Sequence, residues 1–129
     1  MIEDARGKID YQEEGSGPII LFVPGSWGTR SAWRGVIAAL AGRFRIVTTS
    51  LLGYGDTAER RRGTDVSIDR EAEILEAVVL RAGGPLHLVG HSYGGGVTLR
   101  VAVERPARIA SLSVYEPTAF HVLNAAGDD

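Results

Sequence analysis

The stretch Gly90-His-Ser-Tyr-Gly94 constrains the fold of this chain more than any other segment. It follows a short apolar run, residues 86–89, and precedes a longer one that Pro106 brings to an end. Gly-x-Ser-x-Gly between a strand and a helix is the pattern of a nucleophile elbow, a turn so sharp that its serine hydroxyl is exposed at the carboxyl end of a sheet. The glycines meet a steric demand, because a Cβ there would collide with the neighbouring strand or helix. The pattern therefore predicts a strand, a tight turn at Ser92 and a helix that ends near Arg105.

Ser92 also has an ordinary interpretation, as a turn serine whose hydroxyl caps the following helix. The run 97–103 alone would fit a strand, but the elbow geometry and Pro106 favour the helix. The apolar run 86–89 is typical of a strand that is buried on both faces of a parallel sheet. Because so short a motif can occur by chance, it indicates an elbow only if that strand precedes it and that helix follows it.

Strand and helix patterns alternate along the chain, which favours a parallel sheet covered by helices. Four more strands are predicted, at residues 8–13 (an edge strand), 19–23, 45–49 and 109–115. One further helix is predicted to end near Gly42, with an apolar face formed by Trp33, Val36, Ile37, Leu40 and Ala41. Ser67 is a candidate cap for another, with Ile68, Ala72, Leu75, Val79 and Ala82 on one face. The predicted fold class is α/β, a mostly parallel open sheet of about five strands with helices on both faces.

Composition narrows the functions that this chain can have. It has 129 residues, a net charge of −2 and 44% hydrophobic residues, which predicts one globular domain without the basic charge typical of nucleic-acid binding. No signal peptide or membrane span is visible, so no membrane partner is expected and a cytoplasmic location is the default expectation. The absence of cysteine removes disulfides, thiolate metal sites and a cysteine nucleophile. The run Arg60-Arg61-Arg62 is either a solvated loop, which is favoured, or a contact for an anionic substrate.

Three motifs, in this order, resemble those of the α/β-hydrolase family. The oxyanion loop, the glycine loop and the elbow of that family are matched by residues 21–28, 53–57 and 90–95. The resemblance covers the chain from the edge strand near Ile9 to Glu116. It implies a truncated α/β-hydrolase fold, with residues 1–129 forming a single partial domain that lacks the lid and the C-terminal strands.

Two positions depart from the family's pattern. Pro24 stands where many members have histidine, and Ser50 stands where many have aspartate before the glycine loop. Because both positions shape loops in relatives, the departures affect the expected substrate class more than the expected fold.

The resemblance assigns roles to four residues. A serine hydroxyl is a weak nucleophile until a base removes its proton, and the oxyanion formed by its attack needs hydrogen-bond donors. Ser92 is the candidate nucleophile, and the backbone N–H groups of Tyr93 and Ser26 are the candidate oxyanion-hole donors. Trp27 either lines the substrate pocket or packs over its own loop.

The base and the acid are harder to assign. In this family the histidine follows the acid in chain order. His87 lies in the elbow strand and His91 lies beside the serine, where packing or loop support is the ordinary role. His121 is the remaining candidate base, shortly after Glu116. Glu116 is the candidate acid, at the end of the strand after the elbow helix, although capping of the next segment is favoured there.

The predicted function is serine-dependent hydrolysis of an ester or similar acyl compound, with no cofactor and no metal. Activity of this chain alone should be very weak, because a triad without its histidine loses nearly all of its catalytic rate enhancement. Serine at the elbow argues against the dehalogenase and epoxide hydrolase branches, which place aspartate there. The activities of carbon–carbon bond hydrolases and acyltransferases remain alternatives. The alternatives are a non-catalytic fragment or assembling module, and a half-site completed by a second chain. An exposed last strand predicts a homo-oligomer or a complementary C-terminal fragment as partner.

Overall fold

The computed structural model describes residues 1–40, 42–63 and 68–117. Short 3₁₀ turns, Arg30–Trp33 and Pro106–Arg108, precede the first helix and the last strand. In chain order the elements are β1 (Ile2–Asp4), β2 (Gly7–Ile9), β3 (Tyr11–Glu14), β4 (Ile19–Val23), α1 (Arg34–Leu40), β5 (Arg45–Thr49), α2 (Asp69–Ala82), β6 (Leu86–His91), α3 (Tyr93–Glu104) and β7 (Ile109–Tyr115).

Five strands form the central sheet in the order β3-β5-β4-β6-β7. The last four in this order are parallel to one another, and β3 pairs antiparallel with β5 at one edge. Strands β1 and β2 form a separate antiparallel hairpin. The α/β class and the mostly parallel sheet of about five strands are confirmed, whereas the predicted strand 8–13 is divided at Asp10 into β2 and β3.

Helices cover both faces of the sheet, as predicted, but to different extents. Helices α2 and α3 bury the larger core cluster against β4, β5 and β6. Helix α1 covers a smaller cluster on the opposite face, formed by Ile20, Phe22 and Ile46. The expectation that β6 is buried on both faces is wrong: Leu86 and Leu88 are fully buried, but the alternate residues of β6 are only half-buried. The cause is that the α1 cluster centres on β4 and β5.

The helices begin and end close to where the sequence pattern indicates. Helix α2 buries Ala72, Leu75, Val79 and Ala82, as predicted, while its proposed cap Ser67 lies outside the described residues. In α1 the assignment of Val36 to the apolar face is wrong, because 47% of this residue is exposed. Trp33, predicted on the same face, lies in the preceding 3₁₀ turn, and Ala41 lies outside the described residues. Across the described ranges, no helix has both the length and the hydropathy that crossing a bilayer requires.

Candidate active site

Ser92 lies between β6 and α3 in a conformation that few non-glycine residues adopt. Its φ is 55° and its ψ is −123°, and its side chain makes no capping hydrogen bond to the helix. An ordinary N-cap serine has an extended backbone and accepts a hydrogen bond from the first helical turn. Ser92 does neither, so the capping interpretation does not account for it, and its half-buried hydroxyl is left for other chemistry.

The turn requires glycine at two positions, because neighbouring atoms leave no space for a side chain there. A Cβ on Gly90 would lie 2.6 Å from Oγ1 of Thr98, and a Cβ on Gly94 would lie 2.1 Å from the carbonyl oxygen of Pro24. The second contact is with backbone, so no change of rotamer relieves it. The elbow therefore packs α3 directly against the ends of β6 and β4.

The loop after β4 lies against the elbow. A Cβ on Gly25 would lie 3.0 Å from Cβ of Ser92, and the N–H of Gly28 donates to the carbonyl of Gly25 at 3.1 Å. This hydrogen bond closes a β-turn with Ser26 and Trp27 in its central positions. Ser26 is exposed, and within the described residues its amide has no hydrogen-bond acceptor.

Tyr93 supplies the other candidate amide. It is the first residue of α3, and the amides of the first helical turn have no acceptor within their own helix. Its side chain packs against the larger core cluster, which holds the start of the helix in place. The candidate donors Ser26 and Tyr93 thus belong to the two segments that meet at Ser92.

Unusual backbone conformations follow three neighbouring strands. Trp27, Ser92 and Glu116 are the non-glycine residues with positive φ in the described chain, at 67°, 55° and 46°. They follow β4, β6 and β7, which are adjacent and parallel, so all three lie at the carboxyl edge of the sheet. Residues held in sparsely populated conformations cluster at functional sites. This edge is also where open α/β sheets bind ligands.

The end of β7 is tied to the elbow. The N–H of Ser92 donates to the carbonyl of Tyr115 at 3.0 Å, and a Cβ on Gly95 would lie 3.0 Å from Cβ of Pro117. Glu116 stands between these two contacts, with an exposed side chain that has no partner among the described residues. Its role as the acid stays a prediction, and the candidate base His121 lies outside the described residues.

The other two histidines have structural contacts. Nδ1 of His87 lies 2.6 Å from Oγ of Ser111, and the ring of His91 stacks on Tyr115 with centroids 5.1 Å apart. No hydrogen bond joins either imidazole to Oγ of Ser92 in the part of the chain that the structure describes. Both histidines thus have the packing contacts that the sequence favours for them.

Trp27 is 87% exposed, and its ring meets the ring of Tyr54 in the glycine loop edge to face, with centroids 6.3 Å apart. The indole therefore stands over the junction of the oxyanion loop with the glycine loop. Its assignment to the substrate pocket stays a prediction.

A buried carboxylate behind these loops was missed by sequence reasoning. The side chain of Asp10 is 3% exposed, accepts a hydrogen bond from Oγ of Ser50 at 2.7 Å, and pairs with Nε of Arg30 at 3.1 Å. The amide of Arg30, which begins the turn after the oxyanion loop, donates to the same Ser50 hydroxyl at 3.1 Å. The available signal was a charged residue between two apolar ones, Ile9 and Tyr11.

The same network holds the glycine loop. Oγ1 of Thr57 accepts from the amide of Asp10 and donates to the carbonyl of Ser50, both at 2.9 Å. A Cβ on Gly55 would lie 2.7 Å from Oγ of Ser50, so the loop passes directly over the network. Asp10 therefore links the segments next to both loops: its carboxylate binds Arg30 and Ser50, and its amide binds Thr57.

Glu71 is a second buried carboxyl group near the site. It is 1% exposed and accepts a hydrogen bond from the amide of Leu52 at 3.0 Å. Burial raises the pKa of Glu71, and the opposing attraction of Arg61 is smaller. The side chain thus connects the first turn of α2 to the residue before the glycine loop, a contact that its position at a helix N-terminus does not reveal.

Known proteins similar to this chain include several hydrolases. The profile of the alpha/beta hydrolase family matches residues 20–128. Haloalkane dehalogenase 2 of Mycobacterium tuberculosis is 37% identical over 108 residues, which are 83% of this chain and 37% of that protein. The pimeloyl-[acyl-carrier protein] methyl ester esterase of Nitrosomonas europaea is 31% identical over 118 residues, 91% of this chain and 44% of that protein.

Solved structures similar to this chain also include hydrolases. The thioesterase domain from the curacin biosynthetic pathway superimposes with a TM-score of 0.82 at 26% identity, covering 98% of this chain and 49% of that one. The epoxide hydrolase VrEH1 from Vigna radiata superimposes with a TM-score of 0.75 at 29% identity, covering 82% and 35%. The chain thus spans less than half the length of each of these relatives.

Proposed function

Because this chain belongs to the α/β-hydrolase family, we propose that it carries the nucleophile half of a serine hydrolase, in which Ser92 attacks an ester or a similar acyl carbonyl. One observation carries the proposal: Ser92 is held at φ 55° between a strand and a helix, and its hydroxyl does not cap that helix. A strained serine with an uncommitted hydroxyl fits a nucleophile better than a structural residue.

The chemistry follows from the three groups at the turn. Oγ of Ser92 forms a bond to the carbonyl carbon while the π electrons of the C=O bond move onto its oxygen. The amides of Tyr93 and Ser26 donate to that oxyanion, and its collapse expels the alcohol and leaves an acyl ester on Ser92. Water then hydrolyses this ester. The base that takes the serine proton is His121 or a histidine of a second chain, and Glu116 is the acid.

A serine nucleophile favours acyl substrates over alkyl halides. Displacement of a halide by a serine oxygen would leave an ether, which water does not readily cleave, whereas a carboxylate would leave a hydrolysable ester. The similarity to a haloalkane dehalogenase therefore reflects the shared fold more than shared chemistry. The methyl ester esterase and the thioesterase have names that denote acyl substrates, which agrees with Ser92.

Covalent labelling tests the proposal. We expect a fluorophosphonate to add once per chain, at Ser92, and the Ser92→Ala variant to remain unlabelled. Ser113→Ala is the matched control, because Ser113 is an exposed serine on β7 and its loss should leave labelling unchanged. An unlabelled wild-type chain would support the non-catalytic fragment instead. A labelling rate that rises steeply with protein concentration would indicate that a second chain supplies the base.

A pair of substitutions at Ser26 tests the oxyanion hole. Ser26→Ala keeps the backbone N–H, whereas Ser26→Pro removes it at a turn position where proline is well tolerated. We expect the proline variant to lose about 10²–10³-fold in the rate of ester hydrolysis or labelling, and the alanine variant to change little. Equal effects of the two substitutions would mean that the amide of Ser26 is not a donor.

We also propose that β7 pairs with a partner. It is the outer strand of the described sheet, and Val114 and Tyr115 are 39% and 62% exposed. Unpaired edge groups beside apolar side chains favour association, either with a second copy or with a complementary C-terminal segment. Sedimentation at micromolar concentration should show association that depends on concentration, and a monodisperse monomer would contradict it.

A further inference from the structure

A cavity rich in arginine lies beside the glycine loop, outside the site described above. Its volume is about 570 Å³, and its charged lining residues are Arg6, Arg60, Arg61, Arg62, Arg70 and Glu59. We call it the arginine cavity. Five of the chain's 14 basic residues line it, although the chain as a whole has a net charge of −2. Such a concentration of one sign of charge in a concave site attracts ligands of the opposite sign.

Nearby carboxylates do not balance these arginines. Asp4 pairs with both Arg60 and Arg6, at 3.1 and 3.9 Å. Glu59 accepts from Nε of Arg61 at 2.9 Å. Arg62 is exposed and has no acidic partner among the described residues.

The excess of positive charge persists when the carboxylates that pair with these arginines are counted. Glu73 pairs with Arg70 and also with Arg6, at 3.3 Å to the latter, so one arginine and Glu73 together count as one neutral unit. Four arginines then face the two carboxylates of Asp4 and Glu59. The described lining therefore holds an excess of positive charge that an anion would neutralise.

Arg60 gives the cavity a fixed wall. Its side chain is only 6% exposed, and its two terminal nitrogens bind Asp4 while one of them also donates to the carbonyl of Gly7 at 2.9 Å. A guanidinium held in this way loses little entropy when an anion binds nearby. Arg62 is exposed, and the side chain of Arg61 is 33% exposed. Glu59 binds Nε and Nη2 of Arg61, which leaves Nη1 of Arg61 and the donors of Arg62 to reach a ligand.

We infer that the arginine cavity binds the phosphate group of a ligand. A dianion would neutralise the excess charge, and the planar fork of arginine matches the oxygen spacing of a phosphate. The volume exceeds that of a phosphate alone, which leaves room for the rest of a phosphate monoester. This inference does not depend on the role of Ser92, and binding should be the same in Ser92→Ala.

Calorimetric titration with inorganic phosphate, at constant ionic strength, tests the inference on the whole chain. We expect saturable binding to one site. The double variant Arg61→Gln/Arg62→Gln should weaken it by about tenfold or more, because it removes two charged donors. The matched control Arg43→Gln/Arg108→Gln removes the same charge from exposed positions elsewhere and should retain the affinity.

A second variant is expected to act in the opposite direction. Glu59→Gln releases Arg61 from its carboxylate partner and should tighten phosphate binding. Binding that does not saturate, or that falls equally in both double variants, would overturn the inference, because either result would indicate general attraction of anions. An unchanged affinity in Glu59→Gln would also overturn it.

Discussion

The elbow (residues 90–94) and the glycine-loop junction, where Asp10, Ser50 and Thr57 meet, are both crowded, but different forces hold them. At the elbow the backbones of α3 and β4 meet, with the position of a Gly94 Cβ only 2.1 Å from the carbonyl oxygen of Pro24. At the glycine loop, the carboxylate of Asp10 and the hydroxyls of Ser50 and Thr57 hold the chain through hydrogen bonds. The elbow should therefore be sensitive to added volume, and the glycine-loop junction to lost charge.

The largest effect is expected for Gly94→Ala. The added methyl group would overlap the carbonyl of Pro24, and backbone on both sides prevents local relaxation. We expect the free energy of unfolding in urea to fall by about 3 kcal/mol or more, with loss of any labelling at Ser92.

Gly35→Ala is the matched control for that substitution, because it also adds a methyl group in the first turn of a helix. No atom lies within 4 Å of the position of its Cβ. Better helix propensity should stabilise this variant by about 0.5–1 kcal/mol. Similar losses in the two variants would mean that close packing at the elbow is not the cause.

A smaller effect is expected for Asp10→Asn. The shape is kept, but the ion pair with Arg30 is lost and the network around Ser50 is weakened. Because Arg30 is 36% exposed, solvent screens part of the effect, and we expect a loss of about 1–3 kcal/mol in urea unfolding. Asp56→Asn alters an exposed aspartate of the same loop and should stay within about 0.5 kcal/mol of wild type. If Asp10→Asn changed the free energy of unfolding as little as Asp56→Asn, charge would not be what holds this junction.

The smallest effect is expected for Glu71→Gln, and its size depends on pH. Burial raises the pKa of Glu71 in the folded state, so the wild type is stabilised at low pH and loses that stability as pH rises through the folded pKa. Glutamine keeps an acceptor for the Leu52 amide without the buried charge. The variant should therefore be more stable than wild type at about pH 8, with a difference that shrinks toward about pH 4.

Thermal unfolding as a function of pH measures this difference. Glu3→Gln, at an exposed position, should not alter the pH dependence. A Glu71→Gln variant that is less stable than wild type at pH 8 would mean that the attraction of Arg61 outweighs the cost of burial.

The contrast between the two junctions explains what the sequence could predict. The elbow is a local steric pattern, so Gly90, Gly94 and Pro106, together with the apolar run 86–89, predict β6, α3 and the turn at Ser92. The contacts of Asp10 are with residues 40 and 47 positions away, and no local pattern indicates that Ser50 and Thr57 are its partners.

Burial was predicted less well than the order of the elements. Glu71 occupies the first turn of α2, where a carboxylate favours the helix dipole in solvent, yet its side chain is buried and accepts from the amide of Leu52, just before the glycine loop. The half-buried face of β6 was missed for a related reason, since an apolar run does not show how far α1 extends across the sheet. Both cases concern which neighbour covers a side chain, and that depends on tertiary packing.

The most direct test of the central claim is a crystal structure of the chain after reaction with a fluorophosphonate. We expect an adduct on Oγ of Ser92, with its phosphoryl oxygen about 2.7–3.1 Å from the amide nitrogens of both Ser26 and Tyr93. An adduct on another side chain, or a phosphoryl oxygen that points to solvent away from these two amides, would show that these residues do not form the proposed site.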